Sequence, residues 1–230
     1  MGIIKKIFDF HTHTFLSDGE YGPMETAQRA KSKGYSVIGF SDHVDFGTYE
    51  NTIAQLKKAA KAINSSEMGI KALVGVEITH VPPSQIKEIV ELCKKEGAEF
   101  TIIHGETPIE PVIRGTNRAA IEGGADILAH PGFITEEDVE LAVRKGVFLE
   151  ISTRKKQQLA NPHVINLIRK YGAPFLINSD AHEDGHLLTP EFLEKFMNSY
   201  RISYDEWIKN IGLFFNRINF SFSSEDLLFA

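Results

Sequence analysis

Residues 126–152 read Asp-Ile-Leu-Ala-His-Pro-Gly-Phe-Ile-Thr-Glu-Glu-Asp-Val-Glu-Leu-Ala-Val-Arg-Lys-Gly-Val-Phe-Leu-Glu-Ile-Ser, and they spell one complete strand–helix–strand unit. Asp126–His130 is a short β-rich run. Thr135-Glu-Glu-Asp138 has the spacing of a capping box with an acidic first turn, which marks where a helix starts. Gly146 stands where a helix C-cap is expected, directly before a second β-rich run, Val147–Ser152. Two strands joined through a helix lie parallel.

The same unit repeats outward in both directions. Further strands are expected at Ile3–Phe10, Ser36–Ser41, Ile70–Ile78, Glu99–His104 and Pro174–Asn178. Helices are expected to begin near Pro23, Tyr49, Pro83, Gly115 and Asn161, with Gly34, Gly97 and Gly172 at C-cap positions. Strands that each lead into a helix point to an α/β architecture, a closed TIM-like barrel rather than an open sheet. After about residue 190 the pattern changes to two helices, Pro190–Tyr200 and Tyr204–Phe215. An aromatic-rich end follows, whose Phe214, Phe215, Phe220 and Phe222 are expected to pack against the body. This reading divides the chain into a barrel over residues 1–190 and a helical extension over 191–230.

The chain has 230 residues, 42% of them apolar, enough for one large domain with a full core. Its single cysteine, Cys93, excludes an internal disulfide and a Cys-rich zinc module. Cys93 falls in a helical row with Ile86, Ile89 and Val90, the pattern of a buried thiol. Met1-Gly-Ile-Ile-Lys-Lys6 leads straight into a strand without an apolar leader core, and no apolar run approaches a membrane span. The expectation is a cytoplasmic protein with no membrane partner. A net charge of −6 offers no global field for nucleic acid, so long duplexes are disfavoured while a short single strand stays open as a substrate. Oligomeric state has no signature in the sequence.

Histidines and acids gather at the strand ends. His11 and His13 close the first strand; Asp42 and His43 follow the second. Glu77 lies near the end of the third, His104 and His130 end the fourth and fifth, and Asp180 and His182 follow the seventh. In parallel α/β folds the carboxyl ends of strands share one face, where sites are built. His11 and His13, two apart on extended chain, project the same way and can grip one ion; Asp180 and His182 repeat that geometry. A lone histidine at a strand end is more often structural. A whole set there has no packing rationale, because such groups are costly at a barrel mouth unless paired, hydrated or bound to metal. Imidazole and carboxylate without thiolate suit Zn, Mn or Fe(II), and the number of ligands implies two or three divalent ions rather than one. Glu77, from a middle strand, is the natural bridging carboxylate.

The strings Asp9-Phe-His-Thr-His13, Ser17-Asp-Gly19, Ser41-Asp-His43, Gly75-Val-Glu77, Ile103-His-Gly105, Ala129-His-Pro-Gly132 and Asn178-Ser-Asp-Ala-His182, in this order, resemble the PHP (polymerase and histidinol phosphatase) family. The resemblance runs from about residue 5 to 185. It implies a distorted seven-stranded (β/α)7 barrel with three metals. One would lie at His11, His13, Glu77 and Asp180, one at Glu77, His104 and His130, and one at Asp18, His43 and His182. No ligand position departs from the family pattern. Glu77-Ile-Thr-His-Val-Pro-Pro83, His104-Gly-Glu-Thr107 and Gly115-Thr-Asn-Arg-Ala-Ala120 look like the stand-alone, histidinol-phosphatase-like branch.

Other residues are open to two readings. Arg154, after the sixth strand, is read as a phosphate clamp against the alternative of a solvated basic turn, the reading given to Lys155 and Lys156. Arg114 and Arg118 stand evenly between an anion site and a surface pair. Asp42 and Glu106 are candidates for orienting an imidazole, and Asp42 also for proton transfer to the leaving group. His80, His163 and His186 are read as non-ligands. The expected activity is hydrolysis of a small phosphate monoester through a metal-bridging hydroxide. The alternatives are a phosphodiesterase or exonuclease on nucleotides or short single strands, a non-catalytic PHP partner domain, and an amidohydrolase.

Overall fold

The structure is a computed structural model and describes residues 4–221. Its strands are β1 (Ile7–Thr12), β2 (Tyr35–Phe40), β3 (His43–Val44), β4 (Lys71–Ile78), β5 (Phe100–His104), β6 (Ile127–Ala129), β7 (Phe148–Ser152) and β8 (Phe175–Asn178). The helices are α1 (Pro23–Ser32), α2 (Tyr49–Asn64), α3 (Ile86–Glu96), α4 (Thr116–Glu122), α5 (Glu136–Lys145), α6 (Asn161–Tyr171), α7 (Pro190–Ser199) and α8 (Tyr204–Arg217). The strands run parallel in the order β1-β2-β4-β5-β6-β7-β8. β3 continues the line of β2: β2 pairs with the first half of β4, and β3 with its end through His43 opposite Glu77. With β2 and β3 counted as one interrupted strand, this is a nearly closed seven-stranded α/β barrel.

The expected elements appear with small shifts. The helix placed near Pro83 opens with a 3-10 turn, Pro83–Gln85, before α3. Thr135 caps α5 by accepting from Asp138 N, and Gly97, Gly146 and Gly172 end their helices in left-handed conformation. Cys93 is buried on α3, and burial pushes its thiol up to about 12. Ile3 of the first expected strand, and Phe222, lie outside the described residues.

The seam between β1 and β8 is joined by both backbone and polar side-chain hydrogen bonds. His13 N donates to Ala181 O at 2.8 Å and Ala181 N to His11 O at 3.3 Å. Phe10 N donates to Asn178 Oδ1, and Ser179 N to Asp9 Oδ1. Burial raises the Asp9 carboxyl to about 6, although Ser179, His11 and Tyr35 all donate to it.

The barrel is filled by aromatic rings. Phe100 fits because two strands carry glycine beside it: a Cβ would lie 2.2 Å from its ring at Gly75 and 2.7 Å at Gly39. Phe214 of α8 packs on Phe10 (4.6 Å between centroids), Phe148 (5.2 Å) and Phe100 (5.8 Å), so α8 closes the end of the barrel where β5 and β7 begin. Phe215 rests on Phe8 and Phe220, and Arg217 ties the helix to Asp126 at 2.9 Å. Among the described residues no helix is long and apolar enough to cross a membrane.

Phe214→Ala should therefore cost about 3–5 kcal/mol of unfolding free energy, the scale of truncating a fully buried Phe, read from urea unfolding. A loss below about 1 kcal/mol would mean that α8 does not plug the barrel.

Candidate metal centre

The open end of the barrel gathers the strand-end groups. His11 lies within β1 and His13 just past it, both facing inward with ring centroids 5.0 Å apart. His13 lies 4.1 Å from His182 and 4.4 Å from His43 between centroids, and His104 lies 4.5 Å from His130. Glu77 sits at the middle. Its Oε1 is 3.3 Å from His130 Nε2, and its Oε2 is 2.9 Å from His43 Nδ1, 3.3 Å from His11 Nε2 and 3.6 Å from His13 Nε2. Asp180 Oδ1 approaches His13 Nε2 at 3.3 Å and His11 Nε2 at 3.6 Å. Asp18, 55% exposed, reaches in from the loop after β1 to within 3.2 Å of His182 Nε2.

Three sets of donors lie close enough to share an ion: His13, Asp18, His43 and His182; His11, His13 and Asp180; and His11, Glu77 and His130. His104 stands beside the third set, with its Nε2 turned to Glu110 Oε2 at 3.0 Å. Among the described residues, the buried side-chain atoms without a hydrogen-bond partner are almost all here. They are His11 Nε2, both His13 nitrogens, both Glu77 oxygens, His104 Nδ1 and His130 Nδ1; the remaining two are Asp138 Oδ1, which has Arg118 Nε 2.9 Å away, and Trp207 Nε1. Buried polar atoms are normally satisfied, so unpartnered donors clustered this closely fit divalent cations.

Charge follows the same logic. Although burial opposes it, the Glu150, Glu77 and Asp180 carboxylates raise the His11 imidazole well above its usual value. Burial drives His13 down to about 3. Glu77 and Asp180 stay far below the usual carboxylate range against their burial, Glu77 held there by His11, His43 and His104, and Asp180 by His11 and His13. The carboxylates that raise His11, and the imidazoles that hold Glu77 and Asp180 low, mark charge of the kind that divalent cations would balance. His130 and Asp180 hold left-handed backbone, φ 25° and 53°, a conformation that costs of order 1–3 kcal/mol per residue.

Several side chains lie elsewhere than the sequence suggests. The carboxylate of Asp42 faces the 14–18 loop rather than an imidazole: it accepts from Thr14 N, Thr14 Oγ1 and Ser17 Oγ at 2.7–2.9 Å. The strand is interrupted between β2 and β3 at this point, so Asp42 turns to the loop and His43 turns to the site. Glu106 caps α4 by accepting from Gly115 N and Asn117 N, so it orients no imidazole. Arg118 pairs with Asp138 and Glu122 on the outer helices, and Arg114 is exposed. Arg154 does reach the cavity, with its Nη1 3.1 Å from both Asp180 Oδ2 and His182 Nδ1. His163 binds Ile134 O, and His80 is exposed.

Two carboxylates escaped the sequence reading. Glu150, fully buried in β7, accepts from His11 Nδ1 at 2.8 Å, Asn178 Nδ2 at 2.9 Å and His130 N at 3.1 Å. The signal was a lone Glu inside the apolar run Phe148-Leu-Glu-Ile-Ser152. Glu110 lies on the loop after β5 and carries no such mark. A cavity of about 90 Å³ joins Asp18, His43, Glu77, His104, Glu110, His130, Arg154, Gln157, Asp180 and His182. Next to it lies a cavity of about 290 Å³ lined by Arg154, Lys155, Gln158, His186 and Phe192.

The PHP domain matches residues 9–213. A protein of Methanocaldococcus jannaschii, described as uncharacterised, is 41% identical over 189 residues, covering 82% of this chain and 87% of that one. The Bacillus subtilis DNA polymerase/3'-5' exonuclease PolX is 26% identical over 193 residues, covering 76% of this chain, which spans only 34% of PolX. Among solved structures, a chain of archaeal ribonuclease P with mature tRNA shares the fold with a TM-score of 0.67 at 18% identity, covering 91% of this chain and 89% of that one. The metal-dependent tyrosine phosphatase structures of YwqE from Bacillus subtilis and CpsB from Streptococcus pneumoniae give a TM-score of 0.62 at 17% identity, covering 94% and 96%. The match over residues 9–213, together with the shared barrel, means that the chain belongs to the PHP domain family.

Proposed function

We propose that the protein is a metal-dependent phosphoesterase that hydrolyses a small phosphate monoester, with histidinol phosphate and a nucleotide as the two candidate substrates. The observation that carries this reading is the convergence of unpartnered buried imidazole and carboxylate atoms on one cavity with a guanidinium at its open side. Two or three divalent ions, Zn, Mn or Fe, held by His11, His13, Asp18, His43, Glu77, His104, His130, Asp180 and His182 would supply Lewis-acid polarisation of the phosphate and acidified water.

The chain's own residues prepare that chemistry. Glu150 accepts the Nδ1 proton of His11 and so fixes the tautomer that turns Nε2 toward Glu77 and Asp180. Glu77 presents one oxygen to the His130 side and the other to the His11, His13 and His43 side, the geometry of a bridging carboxylate. Asp42 holds the loop that carries Asp18, an indirect role that replaces proton transfer. Arg154, 28% exposed, spends one nitrogen on Asp180 and keeps the rest of its fork for phosphate oxygens and for charge that grows in the transition state. The small cavity suits a phosphoryl head, and the neighbouring one, lined by Lys155 and Phe192, suits the organic part of an anionic ester.

A second reading, cleavage of a phosphodiester at the end of a short single strand, draws support from the PolX match and from the exposed rings of Phe15 and Phe133 on the loops after β1 and β6, where bases can stack. Assay of the metal-loaded protein against phosphomonoesters, phosphodiesters and short oligonucleotides separates the two. Preference for monoesters supports the proposal; turnover of diesters or oligonucleotides alone replaces it, and no turnover of any class rejects both.

Two substitutions probe the roles. Glu77→Gln should lose metal and activity together, because a neutral amide cannot balance two cations; elemental analysis showing an unchanged metal content would reject the bridge. Arg154→Ala should keep its metal and lower kcat/KM by roughly tenfold to a thousandfold, with Arg154→Lys recovering only part. Full activity in Arg154→Ala would make the residue a surface cation.

A further inference from the structure

The loop joining β5 to α4, residues 105–115, leans over the metal centre and carries a carboxylate outside the ligand set. Its two ends are pinned. Glu106 accepts from Gly115 N and Asn117 N at 2.9 Å, Glu106 N donates to Asn117 Oδ1, and Asn117 Nδ2 donates to Pro131 O. The Thr107 hydroxyl donates to Gln157 Oε1, which ties the loop to the segment after β7. Between these pins the tip, Pro108-Ile-Glu-Pro111, has little core to rest on, and Ile109 and Ile113 face solvent.

Glu110 nevertheless turns inward. Its Oε2 lies 3.0 Å from His104 Nε2, and it lines the same cavity as Glu77, His130 and Asp180. His104 Nδ1 is then the buried nitrogen without a partner. The arrangement mirrors that of His11, where Glu150 takes one ring nitrogen and leaves the other without a partner beside Glu77 and Asp180. Pro108 and Pro111 restrict the backbone on either side of Glu110, which lowers the entropy lost in holding it inward.

We infer that Glu110 is a positioning residue that couples the order of the 105–115 loop to occupancy of the metal subsite at Glu77, His104 and His130. It rests on the metal-dependent reading above. With Glu110 accepting from Nε2 of His104, Nδ1 would be the nitrogen free to hold a cation. The Nε2–H of His104 would become a stronger donor to Glu110 were Nδ1 to hold a cation, and by linkage the loop tip would be held more tightly with the subsite filled.

The test pairs Mn²⁺ titration by calorimetry with hydrogen exchange over residues 107–113, in the wild type and in Glu110→Ala and Glu110→Gln. In the wild type, Mn²⁺ should slow exchange in the tip. Glu110→Ala should abolish that slowing and weaken one class of Mn²⁺ site about ten- to hundredfold, the usual effect of losing such a partner. Glu110→Gln, which keeps an acceptor without its charge, should fall between. Matching thermal unfolding of the metal-free proteins shows that the variants fold. Unchanged Mn²⁺ affinity and unchanged slowing in Glu110→Ala overturn the inference, and so does loss of only one effect, since the coupling requires both. A wild type that binds no Mn²⁺ takes down the metal-dependent reading as well, which separates that failure from this one.

Discussion

Burying imidazoles and carboxylates at the mouth of a barrel removes them from water, and the loss must be offset by opposite charge at short range. In this chain Glu77, His11 and His13 are buried at the centre of such a cluster, and His11 Nε2, both His13 nitrogens and both Glu77 oxygens are left without hydrogen-bond partners. Removing one member of a buried charge set leaves the others uncompensated, which typically costs about 3–5 kcal/mol. The surrounding structure is organised around that constraint.

The seam of the barrel and the site are one hydrogen-bonded system. Phe10 N on β1 donates to Asn178 on β8, Asn178 donates to Glu150 on β7, and Glu150 binds His11 back on β1. Closing the barrel therefore sets the orientation of a candidate ligand. The same seam forces Asp180 into left-handed backbone as it turns toward His11 and His13. At the opposite end, Phe214 and Arg217 of α8 fix the starts of β5, β6 and β7. The mouth is left to loops, and Arg154 and Glu110 enter from two of them.

Much of this was legible in the sequence because period and punctuation are local. The Thr135 cap, the left-handed glycines and the alternation of strand and helix placed nearly every element, and residues at strand ends converge whatever the exact closure. The families of contacts that were missed depend on distance in three dimensions. Asp42 and His43 are neighbours in sequence, yet the break in the strand sends them to opposite tasks. Glu106 looked like a partner for His104, two residues away, while Glu110, six residues away, occupies that place because the loop folds back. Glu150 read as an interior strand residue until β1 and β8 were brought beside it.

The central claim, that these side chains form a polynuclear metal site, is tested most directly by anomalous diffraction from crystals of metal-replete protein. The account predicts two or three anomalous peaks inside the cavity, each about 2.0–2.3 Å from the imidazole nitrogens and carboxylate oxygens of the ligand set, with Glu77 touching two of them. Metal-replete crystals with no anomalous density among His11, His13, Glu77, His130 and Asp180 would contradict it.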